Sequence, residues 1–317
     1  MTPRFALFVG DQVYVDPTAG LYDPTRRDDR YRLPYEAWLS QQSVRNVLRQ
    51  IPSFMLLDDH EIDDNWEPIS DPDDGDNASN LTLGFEAYRL YQRGMHPELE
   101  MFDFDGFHFF MLDTRTQRTH RKVGNGLKSA AMIAPATMEN LKQWLLLAPA
   151  PKFVVSPVML LPRHRRAIQR DSSVSWANLS ALHSDGWDGY PNTLREVLAY
   201  IAENRIEHVV FLSGDEHRAC VATVDLCDED GSLITRLHSI HTAAMFAPYP
   251  FANGIDEEIV DNETIEIPGG AKAYRCVVNA TRPAPGDGAT FFRVRSVGSG
   301  WELDCEFGDG AVQTLTI

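Results

Sequence analysis

The stretch HVVFLSGDEH, residues 208–217, decides the predicted fold class. Its run His208 to Leu212 has the length and composition of a buried strand, and it leads directly into a turn rich in carboxylate and imidazole groups. FALFVGDQVY, residues 5–14, repeats this arrangement, with an apolar run from Phe5 to Val9 before the polar turn. Ligands of open α/β sheets bind at the carboxyl ends of the strands, so both stretches favour that architecture.

Further strands and helices alternate between these two stretches. Short apolar runs predict strands at Phe54 to Leu57, Phe107 to Leu112 and Phe153 to Val155. Helical spacing of apolar residues occurs in four segments, Tyr35 to Arg49, Leu83 to Arg93, Ala136 to Leu147 and Asn192 to Asn204. The alternation predicts an α/β core with a largely parallel or mixed sheet and helices on its faces.

The pattern becomes β-rich after His217. Strand-like segments follow one another at Val221 to Leu226, Leu233 to Ile240, Ala273 to Val278, Phe291 to Val297 and Trp301 to Phe307. Gly and Pro turns separate them, so we predict antiparallel strands that complete a second sheet. We therefore expect one domain over residues 1–317, with an α/β part at 1–218 and a β-rich part at 219–317. The acidic segment Asp71 to Asn80 is interpreted as a surface loop.

Composition narrows the function classes. With 317 residues, 43% of them hydrophobic, the chain can bury a substantial core. Its four cysteines lack CxxC spacing, which favours reduced thiols. The longest apolar run near the start has only five residues, which favours a cytoplasmic location without a membrane span. A formal net charge of -17 argues against nucleic-acid binding, because the phosphates would be repelled. Most of the carboxylates are interpreted as solvated surface groups.

Charged clusters follow four of the five strands predicted before His217. They contain Asp11, then Asp58-Asp59-His60-Glu61, then Asp113-Thr114-Arg115, and finally Asp215-Glu216-His217. Carboxylates gathered at one sheet edge repel each other unless a cation lies between them, which indicates a metal centre. Taken singly, Asp58 or Asp113 is more typical of a helix cap, and His217 of a structural hydrogen bond.

Carboxylate oxygen and imidazole nitrogen suit iron, manganese, zinc or calcium. Two metals that share an aspartate can activate water and clamp phosphate oxygens. Hydrolysis of a small phosphate ester is the reaction that this chemistry favours. The chain has neither a GxGxxG motif nor a P-loop after a strand, nor a GxSxG elbow, which disfavours nucleotide enzymes and serine hydrolases.

Five motifs in order carry a family resemblance: GDQVY, DDHEIDDNW, LDTR, DGWDGYP and LSGDEH. Together they resemble the PhoD-like phosphatases of the calcineurin-like metallophosphoesterase superfamily. The resemblance implies a two-sheet β sandwich flanked by helices, with two or more metal ions at the strand ends. It also implies hydrolysis of phosphate monoesters or diesters by a metal-bound hydroxide.

The resemblance also assigns roles to single residues. It makes Asp11 a bridging ligand and Tyr14 a phenolate ligand, and it assigns Asp59, Asp215 and His217 to the metals. His60 is the candidate general acid, with packing against Trp66 as the alternative. Arg115 is the candidate phosphate clamp, with a structural salt bridge as the alternative. The DGWDGYP stretch contributes three further residues that are expected to line the pocket: Asp185, Trp187 and Asp188. For Trp187, a place in the apolar core is the alternative.

The sequence departs from the family pattern in two places. Members carry a strand before GDQ that ends in a Ser-Cys segment, and Met1 lies only ten residues before Asp11. We therefore expect the fold to lack that first strand. After the fourth strand, His164 is only a weak substitute for the VxxH ligand. A truncated member that binds metal or phosphate without turnover is accordingly the alternative to an active enzyme.

Overall fold

Eight strands form one mixed sheet in the computed structural model, which describes residues 3–15, 26–68, 75–94, 100–121, 130–168, 184–245, 259–270, 272–283 and 286–317. The strands are β3 (Met101–Phe104), β4 (Phe107–Met111), β5 (Lys152–Val155), β6 (Val209–Ser213), β7 (Cys220–Cys227), β8 (Leu233–His241), β9 (Asn262–Pro268) and β10 (Ala273–Thr281). Their spatial order is β3-β4-β5-β6-β8-β7-β10-β9. The central strands β4, β5, β6 and β8 run parallel, and the other pairs are antiparallel.

Two smaller sheets form a second layer. The parallel pair is β1 (Ala6–Val9) with β2 (Ser53–Leu56), and the antiparallel group is β11 (Phe291–Val297), β12 (Gly300–Glu306) and β13 (Val312–Thr316). Phe153 and Val210 of the large sheet pack in one apolar cluster with Leu56 and Leu303 of this layer. Burial of these two facing surfaces is the main apolar contribution that holds the layers together.

Helices cover both outer faces. They are α1 (Arg27–Ser40), α2 (Gln42–Gln50), α3 (Gly75–Tyr88), α4 (Pro135–Leu147) and α5 (Pro191–Glu203). Helices α4 and α5 begin with proline, which suits the first helical turn, and their apolar faces bury Leu141 and Leu198 against the large sheet. Residues of α1 and α3 pack with Val13 and Val15, which follow β1. This layered α/β sandwich is the predicted fold class.

The predicted strands and helices before His217 are present, with differences at helix boundaries. The predicted helix Tyr35 to Arg49 is two helices, because the chain turns to an extended conformation at Gln41, with φ -66° and ψ 127°. Of the predicted loop Asp71 to Asn80, residues 71–74 lie outside the described residues, and Gly75 to Asn80 is helical instead. Asn80 is buried there and bonds Asp63 and Arg27, a contact between distant segments that a local pattern does not show.

The strands after His217 divide between the two layers. The segments predicted from Val221, Leu233 and Ala273 extend the large sheet, whereas only those from Phe291 and Trp301 lie in the second layer. The expectation that all of them complete a second sheet was therefore wrong in part. The reason is strand pairing. Strand β8 pairs in parallel with β6, and β7, β10 and β9 then follow as antiparallel neighbours in the same sheet. Among the described helices, none is long and apolar enough to cross a membrane.

Candidate metal centre

The charged motifs lie at the carboxyl ends of parallel strands, as predicted. Strand β1 leads into Asp11, β2 into Asp58 and Asp59, and β6 into Asp215. The ends of β1 and β6 approach closely at Gly214: a Cβ on this residue would lie 2.7 Å from Val9 Cγ2 and 2.9 Å from Val9 O. Only a residue without a side chain permits this approach, which brings the turns that carry Asp11 and Asp215 together.

Four aspartates converge at this point. Ligand atoms of Asp11, Asp58, Asp59 and Asp215 all lie within 4.8 Å of one another, and a second such group contains Asp11, Asp59 and His60. Burial first, and then the neighbouring carboxylates, raise the pKa of Asp11 and of Asp215 well above the usual range. Burial also raises the pKa of Asp58 to about 7, although Arg115 opposes the shift. The cluster therefore stores electrostatic repulsion that a cation would relieve.

Unpartnered oxygen atoms show that this cluster fits metal ions. Three carboxylate oxygens are buried and have no hydrogen-bond donor among the described residues: Asp11 Oδ1, Asp58 Oδ2 and Asp59 Oδ1. A buried carboxylate oxygen without a donor is costly, and hard or borderline cations prefer such oxygen ligands. The residues present thus suit the metal centre that the sequence predicted.

The loop conformations at the cluster are unusual for residues with side chains. Asp11 has φ 57°, Asp215 has φ 80° and His217 has φ 53°. A residue other than glycine in this region costs on the order of 1–3 kcal/mol, and such residues persist when their surroundings hold them.

Glu61 holds the first loop, a role that the sequence reasoning did not assign. Its fully buried carboxylate accepts hydrogen bonds from the backbone N–H of Asp11 at 3.1 Å, Gln12 at 2.8 Å and Asp58 at 2.8 Å. One side chain therefore fixes the turn after β1 to the turn after β2. The sequence feature that could have indicated this role is its position in DDHE, directly after Asp59 and His60.

Tyr14, His60 and His217 stand next to each other beside the aspartates. The Tyr14 hydroxyl lies 3.1 Å from His217 Nε2, and the Tyr14 and His60 rings pack with their centroids 4.1 Å apart. His60 therefore packs against Tyr14. His217 is absent from both groups of close ligand atoms found among the described residues, so its role and that of Tyr14 as ligands remain predictions.

Arg115 is fully buried in an ion-pair network. Its Nε lies 2.7 Å from Asp58 Oδ1 and its Nη1 lies 2.8 Å from Asp185 Oδ2, with Asp59 Oδ1 at 3.5 Å from Nη2. Asp113 accepts hydrogen bonds from the backbone N–H of Arg115 and Thr116, as a turn-capping residue does. The salt-bridge alternative for Arg115 is thus the arrangement present, and its role as a phosphate clamp remains untested.

Comparison with known proteins identifies the family. The family described as PhoD-like phosphatase matches residues 2–247. The chain belongs to this family. A solved structure of PhoD is similar over 100% of this chain and 63% of its own, with a TM-score of 0.62 and 14% sequence identity. At this sequence identity the similarity shows the fold alone. This chain spans less than two thirds of the length of that PhoD chain. A comparison with curated proteins found no match.

A second buried network supports the last loop of this PhoD-like chain. His164 Nδ1 lies 3.0 Å from Asp188 Oδ2, and its Nε2 lies 2.5 Å from Glu216 Oε1. The Glu216 backbone N–H donates to His241 Nε2 at 3.1 Å. Because both ring nitrogens of His164 face carboxylates, this residue does not replace the VxxH ligand. Trp187 is fully buried core, with Nε1 3.0 Å from Ser156 Oγ.

Proposed function

We propose that this chain hydrolyses phosphate esters at the four-aspartate cluster, with two or more metal ions as cofactors. The observation that carries the proposal is the convergence of Asp11, Asp58, Asp59 and Asp215 with ligand atoms within 4.8 Å of one another. Membership of the PhoD-like phosphatase family supports the reaction class. Metal ions held there would lower the pKa of a coordinated water and polarise the phosphoryl oxygens.

The protein residues would divide the work in the following way. Asp11 and Asp59 each belong to both groups of close ligand atoms. Asp11 would bridge two ions, and Asp59 and Asp215 would be further ligands. Asp58, which the sequence did not assign to the metals, is added to the ligand set because its Oδ2 has no donor among the described residues. Tyr14 and His217 complete the proposed set. With carboxylates in the majority, the donors suit iron, manganese, zinc or calcium.

His60 would protonate the leaving group. One of its ring nitrogens lies within 4.8 Å of ligand atoms of Asp11 and Asp59, so the ring borders the place where the phosphoryl group would sit. Packing of the ring on Tyr14 fixes its orientation. A positioned histidine can donate this proton once the ester oxygen comes within hydrogen-bond reach.

Hydrolysis of bis-p-nitrophenyl phosphate and p-nitrophenyl phosphate tests the proposal. The protein is assayed after loading with iron, manganese, zinc or calcium, and its metal content is determined by elemental analysis. We expect turnover with the wild type and a fall of about 100-fold or more in kcat for Asp11→Asn, since loss of a bridging ligand disrupts the metal pair. Bound metal without turnover of either ester would instead indicate a binding protein.

Asp28→Asn is the matched control for this substitution. Asp28 has a side chain that is 75% exposed and lies 4.0 Å from Arg26 in a surface ion pair. Its substitution makes the same chemical change far from the cluster, so metal content and turnover should stay at wild-type values. Equal activity of Asp11→Asn and wild type would contradict the proposal.

A further inference from the structure

Three arginines at intervals of three residues follow β4, and they differ in the carboxylates that they contact. Arg115 pairs with Asp58 and Asp185, and Arg121 pairs with Glu67, whose Oε2 lies 2.6 Å from Arg121 Nε. Arg118 has no carboxylate in contact among the described residues. Its Nε donates to the backbone oxygen of Thr114 at 2.6 Å, and its guanidinium lies 5.2 Å from the centre of the Tyr190 ring.

Within the described part of the chain, the two terminal nitrogens of Arg118 have no acceptor. Nη1 and Nη2 are both buried, and the residue is only 5% exposed. A buried guanidinium that donates through Nε alone forgoes most of the hydrogen bonds that it could make. The free-energy cost of such a group is high unless an anion or a water molecule accepts those bonds.

Arg118 is connected to the aspartate cluster through Thr114 and Arg115. Its Nε donates to the backbone oxygen of Thr114, and the next residue, Arg115, has its Nε 2.7 Å from Asp58 Oδ1. Asp58 is itself a member of the group of close carboxylates. The same region therefore holds carboxylate oxygens without donors and guanidinium nitrogens without acceptors, and these do not pair with each other.

We propose that Arg118 binds an anionic phosphoryl oxygen of the substrate or of the phosphate product. This inference rests on the proposed function: metal ions would satisfy the unpartnered aspartate oxygens, and the phosphoryl group that they hold would satisfy Arg118. A guanidinium presents two parallel N–H donors that match two phosphate oxygens. Since Arg118 has almost no exposed surface, its ligand is an anion already held inside the site.

The role is one that the sequence reasoning gave to Arg115. Arg115 uses Nε and Nη1 for Asp58 and Asp185 at 2.7 and 2.8 Å, and only its Nη2 lacks a hydrogen-bond partner among the described residues. Arg118 follows three residues later in DTRTQR and keeps both terminal nitrogens available. The difference between them is set by which carboxylates lie nearby.

Binding of inorganic phosphate, measured by isothermal titration calorimetry on manganese-loaded protein, tests this inference. We expect Arg118→Met to weaken phosphate binding by about 10- to 100-fold, the loss that corresponds to a hydrogen bond with a charged group. Arg118→Lys should recover only part of the affinity, because an ammonium lacks the paired donors. Metal content, from elemental analysis, should match that of the wild type in both variants.

Arg121→Met is the matched control, since Arg121 is also buried and lies 4.9 Å from the centre of the same Tyr190 ring. It should lower the melting temperature through loss of the Glu67 pair and leave phosphate affinity unchanged. Wild-type affinity in Arg118→Met would overturn the inference and indicate that water satisfies the guanidinium. Absence of phosphate binding to the wild type would also overturn it.

Ester hydrolysis by the same preparations separates this inference from the proposed function. Turnover combined with unchanged phosphate affinity in Arg118→Met would remove Arg118 alone from the site. Loss of phosphate affinity in Arg118→Met without turnover by the wild type would keep the anion site and overturn the enzymatic proposal.

Discussion

His164 Nε2 lies 2.5 Å from Glu216 Oε1, and Glu216 separates Asp215 from His217. Both neighbours of Glu216 have positive φ, at 80° and 53°. The buried His164–Glu216 pair therefore anchors the middle of the strained turn that carries two proposed metal ligands. Asp188, 3.0 Å from His164 Nδ1, anchors the imidazole in turn.

Substitution His164→Gln should strongly destabilise the protein. It leaves Asp188 and Glu216 as buried carboxylates without their cation, so the free energy of unfolding should fall by about 3–5 kcal/mol. Urea unfolding measures the difference. His208→Gln is the control, because His208 Nε2 lies 3.8 Å from Glu207 in an exposed pair, where a change below about 1 kcal/mol is expected. Similar losses in the two variants would contradict the role given to the buried pair.

Alkaline pH should weaken the same contact. Burial alone would lower the pKa of His164, but Glu216 and Asp188 overcome this effect and raise the pKa to about 11 from 6.5. The stabilisation is thus complete below pH 6.5 and is lost as the pH rises towards 11. The difference in unfolding free energy between metal-free wild type and His164→Gln should shrink between about pH 7 and 10. A difference that stays constant over this range would argue against a charged imidazole.

Arg115→Met should test whether the fully buried guanidinium is structural. Removing it leaves Asp58 and Asp185 without their main cation, and we expect a loss of about 3–5 kcal/mol in unfolding free energy. Arg32→Met is the matched control, because Arg32 also contacts two carboxylates, Asp29 and Glu36, but its side chain is 47% exposed. There the loss should stay below about 1 kcal/mol. A small loss at Arg115 would favour the phosphate-clamp prediction instead.

Gly214→Ala should disturb the metal centre through the backbone. The added Cβ would meet Val9 O at 2.9 Å, so β1 and β6 must separate at the turns that carry Asp11 and Asp215. We expect an unfolding free energy lower by about 1–3 kcal/mol and weaker manganese binding in calorimetry. Gly75→Ala, where no atom lies within 4 Å of the new Cβ, should leave metal affinity unchanged. Unaltered metal binding in Gly214→Ala would mean that this approach does not position the ligands.

Metal ions should stabilise the fold as well as the reaction. A cation that binds only the folded chain raises the unfolding free energy by about 2.7 kcal/mol at a concentration 100 times its Kd. Differential scanning calorimetry should therefore show a higher melting temperature with manganese and a lower one with EDTA. Asp215→Asn should reduce this difference, whereas the exposed Asp28→Asn should retain it. Identical melting curves with and without metal would contradict the proposed centre.

Local sequence patterns are sufficient to predict the α/β alternation and the positions of the charged motifs after strands β1, β2, β4 and β6. These features follow from local patterns, because a strand buried on both faces must be apolar and the polar turn after it is adjacent in the chain. The same patterns did not determine which layer received the strands after His217, because strand pairing joins segments far apart in the sequence.

The pairing of the charges depends on the tertiary structure and could not be predicted from local patterns. Arg115 meets Asp58 across 57 positions of the chain, while Arg118 in the same motif meets no carboxylate among the described residues. His164 is enclosed by Asp188 and Glu216, which the sequence does not relate to it. The free energy of a buried charge depends on its degree of burial and on its distance from opposite charges on other segments of the chain. Both quantities are set by how the fold brings the strand ends together.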